Sequence, residues 1–141
     1  MVAQALHDNR FARLNLVVSG EAGDYVEALR LIVGPGLLAT YRAGSGGEMI
    51  SLVRQGLADA VVLDEEAAPA DALKLLRVIR RMNETLLVVM VTGRSDRRWL
   101  EEALRLAAFS VVNKPLGLEQ LLFQIHRMMV RMDALMRQTE F

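Results

Sequence analysis

The sequence predicts a doubly wound α/β domain. Three observations predict it. Short β-prone apolar runs recur five times, each is followed by a stretch with apolar residues at helical spacing, and the runs do not alternate with polar residues. Strands that are apolar on both sides belong in a parallel sheet covered by helices on both faces. The chain's 141 residues and 15.7 kDa suit one domain with one sizeable core, and no repeat or low-complexity linker divides it.

The first run is Arg13 to Val18, closed by Ser19-Gly20. A helix is expected from Asp24 to Val33, with Tyr25, Ala28, Leu29 and Ile32 on its apolar side, and Gly34-Pro35-Gly36 stops it. Leu37 to Arg42 is a weaker second strand. Ser45 then caps a helix carrying Met49, Ile50, Leu52 and Val53, which Gly56 ends. The third run, Ala60 to Leu63, stops at Asp64-Glu65-Glu66. Asp71 starts a helix bearing Leu73, Leu75, Leu76 and Ile79, and Leu86 to Val91 is the most β-prone segment of the chain. That strand ends at Thr92-Gly93. Ser95 is read as the cap of a helix with Trp99, Leu100, Ala103, Leu104 and Leu106; Phe109 to Val112 follows as a fifth strand ending at Asn113-Lys114-Pro115. A last helix begins near Gly117 or Leu118 and runs to about Arg137.

Composition removes several function classes. Seventeen basic residues balance seventeen acidic ones, so bulk charge gives no support to a nucleic-acid or anionic-membrane partner. No apolar run is long enough to span a bilayer, and His7, Asp8, Asn9 and Arg10 stand where a secretory signal needs apolar residues, so a cytoplasmic protein is expected. The absence of cysteine excludes disulfides, zinc-thiolate clusters and a Cys nucleophile, and two histidines make a poor metal set. Of the seventeen basic residues only Lys74 and Lys114 are lysine.

Ligands of doubly wound folds bind beyond the carboxyl ends of the strands, where strand order reverses. Those ends carry Ser19-Gly20, Asp64-Glu65-Glu66, Thr92-Gly93 and Lys114-Pro115, which bring a carboxylate, a hydroxyl and an ammonium to one rim. In this arrangement the chain resembles the response-regulator receiver domains of two-component signalling. The resemblance rests on Ala60 to Asp64, Ala72 to Arg80, Val88 to Gly93 and Ala107 to Leu116, in that order and spacing. It covers roughly residues 12–128, leaving 1–11 as an N-terminal extension and 129–141 as an extension of the last helix.

The resemblance implies a flavodoxin-like (βα)5 fold with a five-stranded parallel sheet of order 2-1-3-4-5. It implies that Asp64 accepts a phosphoryl group from a histidine kinase, that Thr92 hydrogen-bonds the phosphoryl oxygen and that Lys114 pairs with its charge. An acyl phosphate adds about two negative charges to a carboxylate, so such a site needs aimed positive charge. A lysine suits that role as a flexible point charge in a chain that otherwise uses arginine almost throughout.

The pattern also breaks. The family holds Mg²⁺ with two acidic residues after the first strand, and here Ser19-Gly20 stand there. Asp64 alone would bind the ion poorly; Glu21 and Glu66 are the candidates to complete the metal set. Pro69 sits one residue late, Ala72 replaces the glycine opening the third helix, and Val111 replaces the aromatic switch residue. These departures favour a degenerate receiver, a pseudo-receiver that keeps the fold as a binding module.

In the last helix Leu122, Ile125, Met129, Met132 and Met136 recur at spacings of three and four. The first half of this stripe is the face packing on the sheet, and the part beyond about Met128 reads as a contact for a homodimer, with a helix folding back on its own domain as the alternative, since Leu121, Met128 and Leu135 thicken the stripe. The expected function is a stand-alone receiver-like signalling protein, not an enzyme beyond self-phosphorylation or dephosphorylation at Asp64. Its expected partner is a histidine kinase, a phosphotransferase or another regulator. A conventional regulator phosphorylated on Asp64 is the first alternative. The receiver-like part of an RNA-binding antiterminator is the second.

Overall fold

The computed structural model describes residues 13–67 and 72–138. In chain order the elements are β1 (Leu14–Ser19), a 3₁₀ turn (Gly20–Tyr25), α1 (Val26–Val33), β2 (Leu38–Ala43), α2 (Gly46–Arg54), β3 (Ala60–Asp64), a second 3₁₀ turn (Glu65–Ala67), α3 (Ala72–Met82), β4 (Leu87–Thr92), α4 (Arg97–Ala107), β5 (Ala108–Asn113) and α5 (Leu118–Gln138). All strand pairs are parallel and the sheet order is β2-β1-β3-β4-β5, the flavodoxin-like order expected. Pro69, Asp71 and the segment 1–11 lie outside the described residues.

The non-alternating strands are apolar because both faces are covered. Every residue of β3 and β4 is buried. On one face Leu16, Val18, Val62 and Val89 pack with Leu29 of α1 and with Leu121, Ile125 and Met128 of α5. On the other, Val17, Val61, Leu63 and Met90 pack with Met49 of α2 and with Leu75, Leu76 and Ile79 of α3. Each fully buried aliphatic side chain contributes about 1.5–3 kcal/mol, so the sheet is held from both sides.

Element ends follow local chemistry. The Ser45 hydroxyl accepts from Glu48 N at 3.1 Å and caps α2 as its sequence predicts. The cap of α4 is Asp96 and not Ser95: Asp96 Oδ1 accepts from Arg98 N at 3.0 Å and its carbonyl accepts the first helical bond from Leu100 N. A carboxylate there also meets the positive end of the helix dipole. Gly34 ends α1 with φ 97°, and its N–H returns to Arg30 O. At the opposite pole from the rim, Arg80 binds four carbonyls, those of Asn83, Glu84, Leu86 and Leu106, and so ties the ends of α3 and α4 to the start of β4.

The last helix folds back on its own domain over most of its stripe. Ile125 and Met129 are fully buried in the domain's own core, and Leu122, Met132 and Leu135 pack against the same cluster. Met136 is 48% exposed. The helix therefore covers the sheet beyond Met128, running past the strand starts, where Met132, Leu135 and Met136 face Ala58, Asn83 and Leu87 across a cavity of about 290 Å³. Among the described residues no helix is long and apolar enough to cross a membrane.

Candidate functional site

The strand order reverses between β1 and β3, so their carboxyl ends open the crevice in which a ligand site is expected. Asp64 ends β3 there and is 2% exposed. β4 ends beside it with Thr92, and β5 ends with Asn113 in register with Thr92. The Lys114 N–H donates to Thr92 O at 2.8 Å, which fixes the lysine backbone next to β4. The Lys114-Pro115 bond is cis.

The Lys114 ammonium then reaches two carboxylates, Asp64 Oδ1 at 2.9 Å and Glu66 Oε2 at 2.9 Å. Burial works to lower the lysine pKa, but the hydrogen bonds and charges of Asp64 and Glu66 outweigh it, so Lys114 is held above its ordinary value and stays protonated. Two backbone N–H groups also donate to Asp64. Its Oδ1 also accepts from Glu66 N at 2.9 Å, an Asx turn, and its Oδ2 accepts from Glu21 N at 2.9 Å. Both oxygens of a buried carboxylate are thus hydrogen-bonded, as burial requires.

Ser19 and Gly20 take structural parts at the positions expected of an acidic pair. Ser19 is buried, and its Oγ accepts from Asp64 N at 3.0 Å, joining the ends of β1 and β3. Gly20 has φ 57°, and a Cβ there would lie 2.5 Å from Asp64 Oδ2. The backbone of Gly20-Glu21 covers the carboxylate closely, and only glycine permits that approach.

Mg²⁺ asks for a set of hard oxygen donors. Glu21 turns a donor N–H to Asp64 while its carboxylate accepts from Leu116 N at 3.4 Å; Glu66 pairs with Lys114. Glu21, Asp64 and Glu66 line one cleft with Gly20, Lys114 and Pro115, yet among the described residues no three acidic or histidine side chains converge as metal ligands. Of the expected metal set, Asp64 and Glu66 are paired with Lys114 in this structure, and Glu21 accepts from Leu116 N.

Thr92 is fully buried, and its Oγ1 accepts from Arg94 N at 2.9 Å, so its hydroxyl shapes the β4–α4 turn. The Arg94 guanidinium lies 4.9 Å from the Trp99 ring centre and pairs with Asp96 at 3.7 Å. Val111, the expected switch position, is half-buried in the cluster on the α2–α3 side of the sheet, where Trp99 also packs. Sequence reasoning misses the Arg94–Trp99 stack and the Tyr25 hydroxyl, which donates to Leu116 O at 2.7 Å and ties the first turn to the loop after Pro115. No spacing rule points to either, since both join elements distant in sequence or rely on a loop's path.

Comparison with known proteins agrees with this geometry. TorR, the TorCAD operon transcriptional regulatory protein of Escherichia coli K12, is 31% identical over 89 residues, which is 63% of this chain and 38% of that protein. The chain thus spans less than half the length of this relative. A CheY-like receiver domain protein from Methanospirillum hungatei superposes with TM-score 0.73 at 15% identity, covering 87% of this chain and 98% of that one. A two-component response regulator from Clostridium difficile gives 0.71 at 20% identity, covering 85% and 98%. At these identities the structural likeness is one of fold. The sequence profile of the response regulator receiver domain matches residues 11–126, and the chain belongs to that family.

Proposed function

We propose that this receiver domain works chiefly by binding other proteins, with Mg²⁺-dependent phosphorylation of Asp64 impaired. Receiver domains are signalling modules that meet histidine kinases, phosphotransferases and other regulators, and in this reading one of these is the partner, in the cytoplasm. The observation that carries the reading is the engagement of Asp64 by Lys114 and backbone N–H groups, with no acidic side chain at Ser19-Gly20. Lys114 and Glu66 N occupy Oδ1, Glu21 N occupies Oδ2, and the Gly20 backbone leaves no space for an acidic side chain. An attacking carboxylate needs cationic charge on the equatorial phosphoryl oxygens. Here the lysine supplies charge, and its pairing with Glu66 engages one of the carboxylates that could hold a metal.

The test is incubation with millimolar Mg²⁺ and acetyl phosphate, or with beryllofluoride, read by intact mass and by amide chemical shifts. The expected result is no adduct and no shift at the rim. A stable adduct that disappears in Asp64→Ala overturns the proposal. It would install the conventional reading, in which Asp64 is phosphorylated with Thr92 and Lys114 as phosphoryl contacts, a reading favoured by the retention of those three residues at the rim.

Homodimer formation through α5 is part of the proposal in a reduced form. With Ile125 and Met129 inside the domain, the apolar surface left on that helix includes Phe123, Val130 and Met136. Mass measured in solution across concentrations tests it, and a monomer throughout removes it. The antiterminator reading predicts salt-sensitive binding to RNA hairpins, and its absence removes that reading.

A further inference from the structure

We infer that the joint outer face of α3 and α4 is a docking surface for an acidic protein segment. On α3 the residues Lys74, Arg77, Val78 and Arg81 fall at i, i+3, i+4 and i+7, and all four are exposed. They form one stripe opposite the buried Ala72, Leu75, Leu76 and Ile79. No acidic residue lies within Ala72–Met82.

Glu102 of α4 joins the stripe to the second helix, accepting from Arg77 at 3.0 Å and from Arg105 at 2.6 Å. Arg98 stands one turn before Glu102, on the same side of α4. The next carboxylate round the helix, Glu101, is taken by Arg97 at 2.9 Å. Among the described residues of these two helices, the face sets the cations of Arg77, Arg81, Arg98 and Arg105 round one carboxylate, Glu102. In a chain of zero formal charge this is a local excess, and a focused field of that kind steers and orients an oppositely charged partner.

The make-up of this face favours an acidic protein over a nucleic acid. Val78, 39% exposed, gives the stripe an apolar centre that a phosphate backbone cannot use. With eleven residues, α3 is about 16 Å long at the helical rise per residue. That length matches a few turns of a partner helix carrying Asp or Glu with one apolar anchor. This surface lies on the helices flanking β4 and includes none of the Asp64 contacts, so it stands whether or not Asp64 takes a phosphoryl group.

The test uses the full chain and three probes: a fluorescent amphipathic peptide with glutamates flanking a central leucine, the same peptide with lysine for glutamate, and a fluorescent DNA duplex. The expected result is binding of the glutamate peptide alone, weakened by salt, with amide shifts confined to α3 and α4. Arg81→Glu combined with Arg98→Glu should weaken it by at least about tenfold with Tm unchanged, and the neutral pair Arg81→Gln and Arg98→Gln should weaken it less. Failure of the glutamate peptide to bind, shifts elsewhere on the domain, or affinity unchanged in both double variants overturns the proposal. Tighter binding of the duplex overturns it in favour of a nucleic acid.

Discussion

Gly20 lies so close over Asp64 that a Cβ on it would stand 2.5 Å from Oδ2, with φ 57° at the glycine itself. Placing an acid at this position is therefore not a restoration. Gly20→Asp should lose about 1–3 kcal/mol of stability, because the new side chain is both overpacked and in a left-handed backbone. Urea unfolding with and without millimolar Mg²⁺ checks it. A gain of stability on adding Mg²⁺ to Gly20→Asp would show that the backbone relaxes to build the metal set.

Lys114 holds two carboxylates of different burial, and the two should respond differently. Asp64 is almost wholly buried, so Lys114→Met leaves its charge without a cation and should cost about 3 kcal/mol. The Glu66 side chain is 71% exposed. Glu66→Gln should therefore change stability by less than about 1 kcal/mol. Equal losses in the two variants would mean that the lysine depends on Glu66 for its position as much as on Asp64.

The Lys114 pKa gives a signed pH dependence. Its folded value is raised above its unfolded one, so its contribution is present in full below the unfolded lysine value of about 10.4 and is lost as pH climbs through the higher folded value. The stability gap between the wild type and Lys114→Met should stay constant through neutral pH and narrow above about pH 10. A gap that already shrinks near neutral pH contradicts the raised value. Glu102 runs the other way. Hydrogen bonds from Arg105 and Arg77 lower its pKa, so whatever it contributes is present above the ordinary glutamate range and is lost as pH falls through the lowered value.

The methionines of α5 should separate by burial. Met129 is fully buried against the sheet. Met129→Ala should cost about 2–5 kcal/mol. Met136, by contrast, is about half exposed. Met136→Ser should fall within about 0.5 kcal/mol of the wild type. Chemical denaturation of both variants reads the difference directly. Similar losses would mean that Met136 packs against the strand starts as tightly as Met129 packs on the sheet.

Much of this molecule is legible along the chain. The five strands and the ends of several helices follow from periodicity and from residues such as Ser45 and Gly34, whose effects act within one turn. The sequence places the α4 cap one residue early because Ser95 and Asp96 are both good caps, and only the backbone path decides which one faces the free N–H groups. It merges the end of the first 3₁₀ turn into a longer helix because Asp24 and Tyr25 also suit a helix start. It leaves the stripe of α5 past Met128 open between a partner and the domain itself because a linear pattern does not say how far the sheet's own surface extends beneath a helix.

By itself the sequence determined the class of fold, the placement of Asp64, Thr92 and Lys114 at strand ends, and the loss of the acidic pair at Ser19-Gly20. Periodicity and strand boundaries are local properties, so they survive without coordinates. Only the tertiary structure decided what those residues do to one another. Lys114 bridges Asp64 to Glu66, Glu21 offers its N–H at the place expected of a carboxylate, and Gly20 closes over Asp64. These contacts join the ends of β1, β3 and β5, and sheet register and loop path set them. A carboxylate becomes a metal ligand or a lysine partner according to which groups that path brings within hydrogen-bond distance, and a linear sequence does not carry that information.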